Sequence, residues 1–468
     1  MRLSLKQCLL LNNLMYLEPE EGPFPDYAVF TGMRVRDWMN AIDLSQVAAD
    51  DPDKPRMTTA EEWKKLIRAV RRDQDVMDLK ILTTYTDLSE GSGASRSAVF
   101  LTKDETEAAV VYKGTDLVAG SAQWKDNFYS GNTADTPHQL KALRWFRKTV
   151  IELDLERYYI TVTGHSKGGN KAKYITLLDD SADRCLSFDG EGFSDKFFRK
   201  YAVQIAMRSS LIENHIVNYD YISLLLNDIG SAVYYCGNNI GIGGFLENHL
   251  PNTFMRYEEN GDFHMDVDEN GRPAEMMALD EFVNSFLRSL KDDERTEALM
   301  VLNDLMNAVM TAGKSAQDTD IFKAVTDLAH DVASRRYLAY LSAYLIRLEQ
   351  KYPAMTQLLA SVLTRFGMGS FVRYVDQFAG IIHWKKQILW MSLDFDKLAS
   401  AVSLLNSRAP SWVYQKLAKD MEKKGIKLSA VQIRILADLI EMADSFRKSL
   451  VICEDGIDRR IAYGTEEI

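Results

Sequence analysis

The chain has 468 residues, enough for more than one domain, with 46% hydrophobic and 26% charged residues, the composition of a soluble globular protein. Its formal net charge of -11 excludes the basic surface that non-specific nucleic-acid binding needs. Four scattered cysteines, Cys8, Cys185, Cys236 and Cys453, show no zinc-type or C-x-x-C spacing and read as buried, inert thiols of a reducing compartment.

Residues 1–78 read as an N-terminal extension of helices and loops packed on the domain that follows. An apolar patch at 8–11 is broken by Asn12 and Asn13, and no small-residue cleavage site follows, so no signal peptide is expected. No apolar run is long enough to span a bilayer, and a cytoplasmic protein is expected. Pro19, Pro23, Pro25, Pro52 and Pro55 punctuate loops. Thr58 and Thr59 are cap candidates for a helix over 60–72. Trp38 and Trp63 read as core anchors, and the segment shows no chemistry.

From Leu79 strands dominate, with candidates at 80–87, 97–102 and 107–113. The third runs into Y-K-G-T-D at 112–116, followed by Q-W-K-D-N-F at 123–128. A helix over 138–153 leads to a β-branched and aromatic run at 158–163, then G-H-S-K-G at 164–168, then a helix reaching 178. Strand, sharp turn and helix around G-x-S-x-G is the context of a nucleophile elbow. The glycines are needed because side chains two residues either side of the serine would clash across the bend. The helix that starts there turns its free N–H groups toward the place where an oxyanion would form.

Further on, a strand at 184–188 ends in D-G-E-G at 189–192, and Ser194 caps a helix over 194–207. A strand at 215–219 runs into Asp220, and another covers 232–236. The glycine-rich loop at 237–244 lacks G-x-G-x-x-G spacing, so no dinucleotide site is read. N-H-L-P-N follows at 248–252, then a hairpin over 254–267 whose turn is Asn260–Gly261. Alternating strands and helices predict an α/β domain over 79–272, a mostly parallel sheet flanked by helices. Ligands of such sheets bind beyond the carboxyl ends of the strands. Residues 273–468 read as an all-α domain or cap, with helices at 273–290, 294–311, 320–351, 370–391, 410–424 and 429–450.

A serine hydroxyl becomes a nucleophile when a base takes its proton and an acid fixes the tautomer of that base. On a sheet of this kind the order is Ser, then Asp or Glu, then His. Seven histidines are available. His138 precedes the serine, and His165 lies in the turn with its side chain expected to point away from the serine oxygen. His215 precedes its own strand, His264 sits in the hairpin, and His330 and His383 fall in the helical region. His249 is therefore the candidate base for Ser166. Asp220 is the favoured acid, and Asp189, one strand earlier, is the alternative. The plainer roles are a helix cap at 222–226 for Asp220, a turn for Asp189 and loop packing for His249. The backbone N–H groups of Lys167 and Thr115 are the candidate oxyanion donors, although Thr115 also fits a plain β-turn.

The motifs Y-K-G-T…W-K-D-N, V-T-G-H-S-K-G-G-N-K-A, L-S-F-D-G-E-G-F, V-N-Y-D-Y-I-S-L-L and N-H-L-P-N together resemble the bacterial lipase-like proteins related to class 3 lipases. The resemblance covers 79–267 and not the helical C-terminus. It implies an α/β-hydrolase fold, a triad of Ser166, Asp220 and His249, an oxyanion hole at Thr115 and Lys167, and ester or lipid substrates. Class 3 lipases usually carry Leu after the nucleophile. Lys167 here argues against a greasy triglyceride site and for an anionic substrate, unless the lysine simply faces solvent.

A serine hydrolase of small-molecule or lipid carboxylic esters is thus expected, without cofactor or metal. Transient contact with a membrane surface is compatible with this reading, and oligomeric state is not legible. The alternative is a catalytically silent hydrolase scaffold whose helical half binds a protein. An acyltransferase or peptidase would use the same residues.

Overall fold

Seven runs of β-forming residues build one sheet in a computed structural model of the chain. Residues 2–19, 22–50, 58–87, 95–114, 130–237, 239, 247–290, 295–300, 353–365 and shorter pieces between 410 and 437 are described. The strands are β1 (Lys80–Asp87), β2 (Ser95–Leu101), β3 (Glu107–Tyr112), β4 (Tyr159–His165), β5 (Arg184–Phe188), β6 (Ile212–Val217) and β7 (Ser231–Tyr235). They lie side by side in sequence order. β1 to β3 pair antiparallel, and β3 to β7 pair parallel. A mostly parallel sheet flanked by helices is the α/β-hydrolase-like arrangement. The strand expected over 215–219 is displaced toward the N-terminus: β6 begins at Ile212 and ends at Val217, so His215 lies in its interior.

Parallel neighbours in sequence order need a crossover at each step. Crossovers of one hand put all their helices on one face. These helices are α5 (Pro137–Glu152), α6 (Lys167–Leu178), α7 (Asp195–Lys200) and α8 (Ala202–Arg208). Val110, Tyr112, Ile160, Val162 and Cys185 share a core with Phe146, Ile175 and Phe197 from that layer. The single helix expected over 194–207 is split at Tyr201, which leaves helical geometry (φ -115, ψ 26). Its hydroxyl donates to Asp135 Oδ1 at 2.6 Å.

The other face of the sheet is covered mainly by the N-terminal segment. Its helices are α1 (Leu5–Leu14), α2 (Val35–Asn40), α3 (Ala60–Arg72) and α4 (Gln74–Asp78). Leu9, Leu10, Leu11, Trp38 and Trp63 pack with Ala98, Phe100, Ala109, Val111, Leu186 and Phe188. Alternate side chains of one strand thus serve different layers, Ala109 and Val111 one and Val110 and Tyr112 the other. α1 is buried along most of its length and closed by a Ser4–Gln7 capping box. Asn12 and Asn13 do not interrupt it. Asn12 Nδ2 donates to Cys8 O and to Thr163 Oγ1, both at 2.8 Å, which ties α1 to β4.

The chain divides into two compact units, Met1–Met276 and Met277–Ile468. The first ends with a short hairpin, β8 (Arg256–Tyr257) and β9 (Phe263–His264), turning at Gly261 (φ +80). Helix α9 (Ala274–Ser289) crosses the division, and α10 (Pro353–Arg365) and α11 (Ser411–Lys423) lie in the second unit. α10 was not among the expected helices. Pro353 opens it, and proline is well suited to the first helical position, where no N–H partner is needed. The helices expected at 320–351 and 370–391 lie outside the described residues.

Candidate active site

Ser166 stands between β4 and α6 with φ 57 and ψ -128, a conformation that costs a non-glycine residue strain. The bend leaves no room at its glycines. A Cβ on Gly164 would come to 2.1 Å from the Gly168 carbonyl carbon, and one on Gly168 to 2.0 Å from Tyr112 O. The Ser166 N–H donates to Phe188 O at 2.9 Å, which fastens the turn to β5.

The structure brings Ser166, His249 and Asp220 together. Ser166 Oγ lies 2.8 Å from His249 Nε2, and His249 Nδ1 lies 2.6 Å from Asp220 Oδ1. All three are buried. Asp220 sits three residues past β6, and its Oδ2 accepts the Ser223 N–H at 2.6 Å. Its cap-like role and its contact with His249 thus coexist, one oxygen each. Residues 221–226 form bends and turns instead of the helix that the cap reading supposed.

The Lys167 side chain does not face solvent, as one expectation had it, but is buried in an ion pair with Glu191 at 2.5 Å. Glu191 Oε1 also accepts the Ser130 hydroxyl at 3.2 Å. The backbone N–H of Lys167 opens α6, where first-turn N–H groups have no partner within the helix. Thr115 lies outside the described residues. Gly114, just before it, runs against the turn: a Cβ there would come to 2.9 Å from Ser166 Cβ.

His165, set aside in the sequence, packs its ring on that of His249 at 4.9 Å between centroids. Its Nδ1 is 2.8 Å from the Tyr16 hydroxyl, which also accepts the Gly114 N–H at 3.2 Å. Burial, then the neighbouring His249, pushes the His165 pKa well below the usual histidine range. Tyr16 therefore brings the N-terminal segment, where no chemistry is read in the sequence, to the edge of the site. The only sequence signal is indirect: a helix as apolar as α1 has to pack on something.

Asp189 ends β5 in a left-handed conformation (φ 45) and does not contact His249 by a hydrogen bond of its own. Its Oδ1 accepts the Val217 N–H at 2.8 Å. Burial first, and the Asp220 charge second, push its carboxyl well above the usual range. Donor atoms of His165, Asp189 and His249 lie within 4.8 Å of one another. Both His249 nitrogens are already engaged, so a metal ion would have to break the contact with Ser166 or with Asp220. Among the other histidines, His215 Nδ1 is 2.9 Å from the Tyr235 hydroxyl and burial lowers its pKa to about 4. Cys8 and Cys185 are buried free thiols pushed up to about 12, so they stay protonated.

A family model described as Mbeg1-like matches residues 71–304, half of the chain. The chain belongs to the Mbeg1-like family. This lipase-like match takes in every strand from β1 to β9, and with them Ser166, Asp220 and His249. Among solved structures, the Mbeg1-like chain is similar to a triacylglycerol lipase from Penicillium expansum, with 12% identity, 34% of this chain and 71% of that chain covered, and a TM-score of 0.24. A likeness that loose has no bearing on chemistry. No curated protein matches the chain.

Proposed function

We propose that this Mbeg1-like protein is a serine hydrolase of carboxylic esters, lipid esters included. The observation that carries the reading is the hydrogen-bonded run from Ser166 Oγ through His249 to Asp220, at 2.8 and 2.6 Å, on a strained strand–turn–helix. Ser166 attacks the ester carbonyl while His249 Nε2 takes its proton. Asp220 holds the imidazole with Nδ1–H toward itself and stabilises the imidazolium that forms. The Lys167 N–H, with Thr115 as the second donor expected from the sequence, receives the developing oxyanion. His249 returns the proton to the leaving alcohol, and water then hydrolyses the acyl-enzyme by the same route reversed. The Lys167 charge is matched inside the protein by Glu191, so nothing at that residue calls for an anionic acyl group. A cytoplasmic location belongs to the same proposal and rests on the unpaired Cys8 and Cys185. Among the described residues no helix is long and apolar enough to cross a membrane.

An alkyl fluorophosphonate tests the reading. The wild type should label, and Ser166→Ala should not, with ester turnover falling by roughly 10³-fold or more. A well-folded wild type that does not label would instead support the silent scaffold. A panel of ester chain lengths then separates small-molecule from lipid substrates.

A further inference from the structure

Asp189 combines features that folds seldom keep without use. Its backbone is left-handed, its side chain is fully buried, and its Oδ2 has no hydrogen-bond partner among the described residues. Strain and unsatisfied buried oxygens concentrate at functional sites. The bond from Val217 N–H to Oδ1 draws the carboxyl across the end of β6, toward the loop that carries Asp220. An Asp189 oxygen lies within 4.8 Å of a His249 nitrogen. One imidazole therefore has two carboxyl groups beside it, one bonded and one a short step away. The groups facing Asp189 are Asp220, His165, His249 and Arg272. Two neighbouring carboxylates in a dry interior cannot both ionise readily, and burial with the Asp220 charge beside it pushes the Asp189 carboxyl well above its usual range.

We infer that Asp189 is a reserve acid for His249, standing aside while Asp220 holds the imidazole and taking over that role when Asp220 is lost. The inference rests on the serine-hydrolase reading. Once the Asp220 charge is removed, the smaller of the two causes that raise the Asp189 pKa is gone while burial remains, so Asp189 gives its proton to solvent as pH rises. It then accepts the imidazole N–H that Asp220 had accepted. Closing to hydrogen-bond distance needs a movement of about 2 Å, within reach of side-chain rotation.

The test is the rate of alkyl fluorophosphonate labelling in the wild type, Asp189→Asn, Asp220→Asn, the double variant and Ser166→Ala, each checked for folding by thermal melting. Asp189→Asn copies a neutral carboxyl and should stay within about threefold of the wild type. Asp220→Asn should lose about 10–100-fold, and the double variant about 10⁴-fold, the loss met when no acid remains. The residual rate of Asp220→Asn should rise with pH through one carboxyl ionisation that the double variant lacks. Asp220→Asn as slow as the double variant, or with a flat pH profile, overturns the inference. If Asp189→Asn does not fold, Asp220→Asn alone decides, and a loss near 10⁴-fold overturns it. A wild type that labels no faster than Ser166→Ala overturns the hydrolase reading and the inference with it.

Discussion

The Tyr16 hydroxyl bridges two backbone segments that meet at Ser166, through Gly114 at the end of β3 and His165 at the end of β4. Tyr16→Phe keeps the ring under the Lys113 ammonium, 5.2 Å away, and deletes only the hydroxyl. The two hydrogen bonds lost among the described residues predict about 1–2 kcal/mol of destabilisation in urea unfolding. The labelling rate of Ser166 should fall as well, because Gly114 and His165 lose their common anchor. Unchanged stability and rate would show that the bridge does nothing. Ser166, Asp220 and His249 are legible as candidates because each follows a strand in the required order. Tyr16 is not legible, since 149 residues separate it from His165 and no spacing signal spans that distance. Nor is the burial of Lys167, whose neutralising partner Glu191 comes 24 residues later on another strand's loop.

At the level of elements, two glycines separate crowding from backbone freedom. Gly164→Ala would drive a Cβ into the Gly168 backbone, which has no flexible end to yield. A cost of about 3 kcal/mol or more is expected, with loss of soluble protein or a sharply lower Tm. Gly32 has φ +86 but nothing within 4 Å of a built Cβ, so Gly32→Ala should cost only about 1 kcal/mol of conformational strain. Equal melting of the two variants would refute the crowding argument. Elements with strong local signals agree with the sequence at both ends. α3 has a complete Thr59–Glu62 capping box, and β1 and β5 are short runs bounded by turns. Disagreement arises where tertiary contacts decide. Tyr201 leaves its helix for Asp135 and the rings of Phe197 and Tyr174. The layer arrangement is also beyond local reading, because nothing in a strand says which helices cover each face.

For the whole molecule, the buried histidines set the acid limit of stability. His215 is held neutral by burial with a pKa of about 4, against 6.5 in the unfolded chain, and His165 is shifted in the same direction. Between these values the unfolded state binds more protons than the folded one. Stability is thus intact above about pH 6.5 and falls as pH drops toward 4, by about 3 kcal/mol for His215 alone. Urea midpoints at pH 7.5 and 5 should differ in that direction, and His215→Gln should narrow the gap. Asp189 acts oppositely: its raised pKa makes the folded state the better proton holder above about 3.8, so its contribution weakens as pH rises. A midpoint that does not move between the two pH values would mean that these histidines are hydrated.

The N-terminal helix that covers the sheet has a consequence for the order of assembly. α1 is made before the sheet it covers, and the anchors of α1 and its flanking residues come much later: Leu3 N–H on Glu107, Asn12 on Thr163 and Tyr16 on His165, at separations of 104, 151 and 149 residues. During synthesis the helix waits for a docking surface that does not yet exist. Until α1 docks, Phe100 and Val111 lack its cover on that face of the sheet. Contacts at such range slow folding, since long loops must close before any contact repays them. Late docking of α1 is therefore expected, and it completes the surroundings of Ser166 through Tyr16.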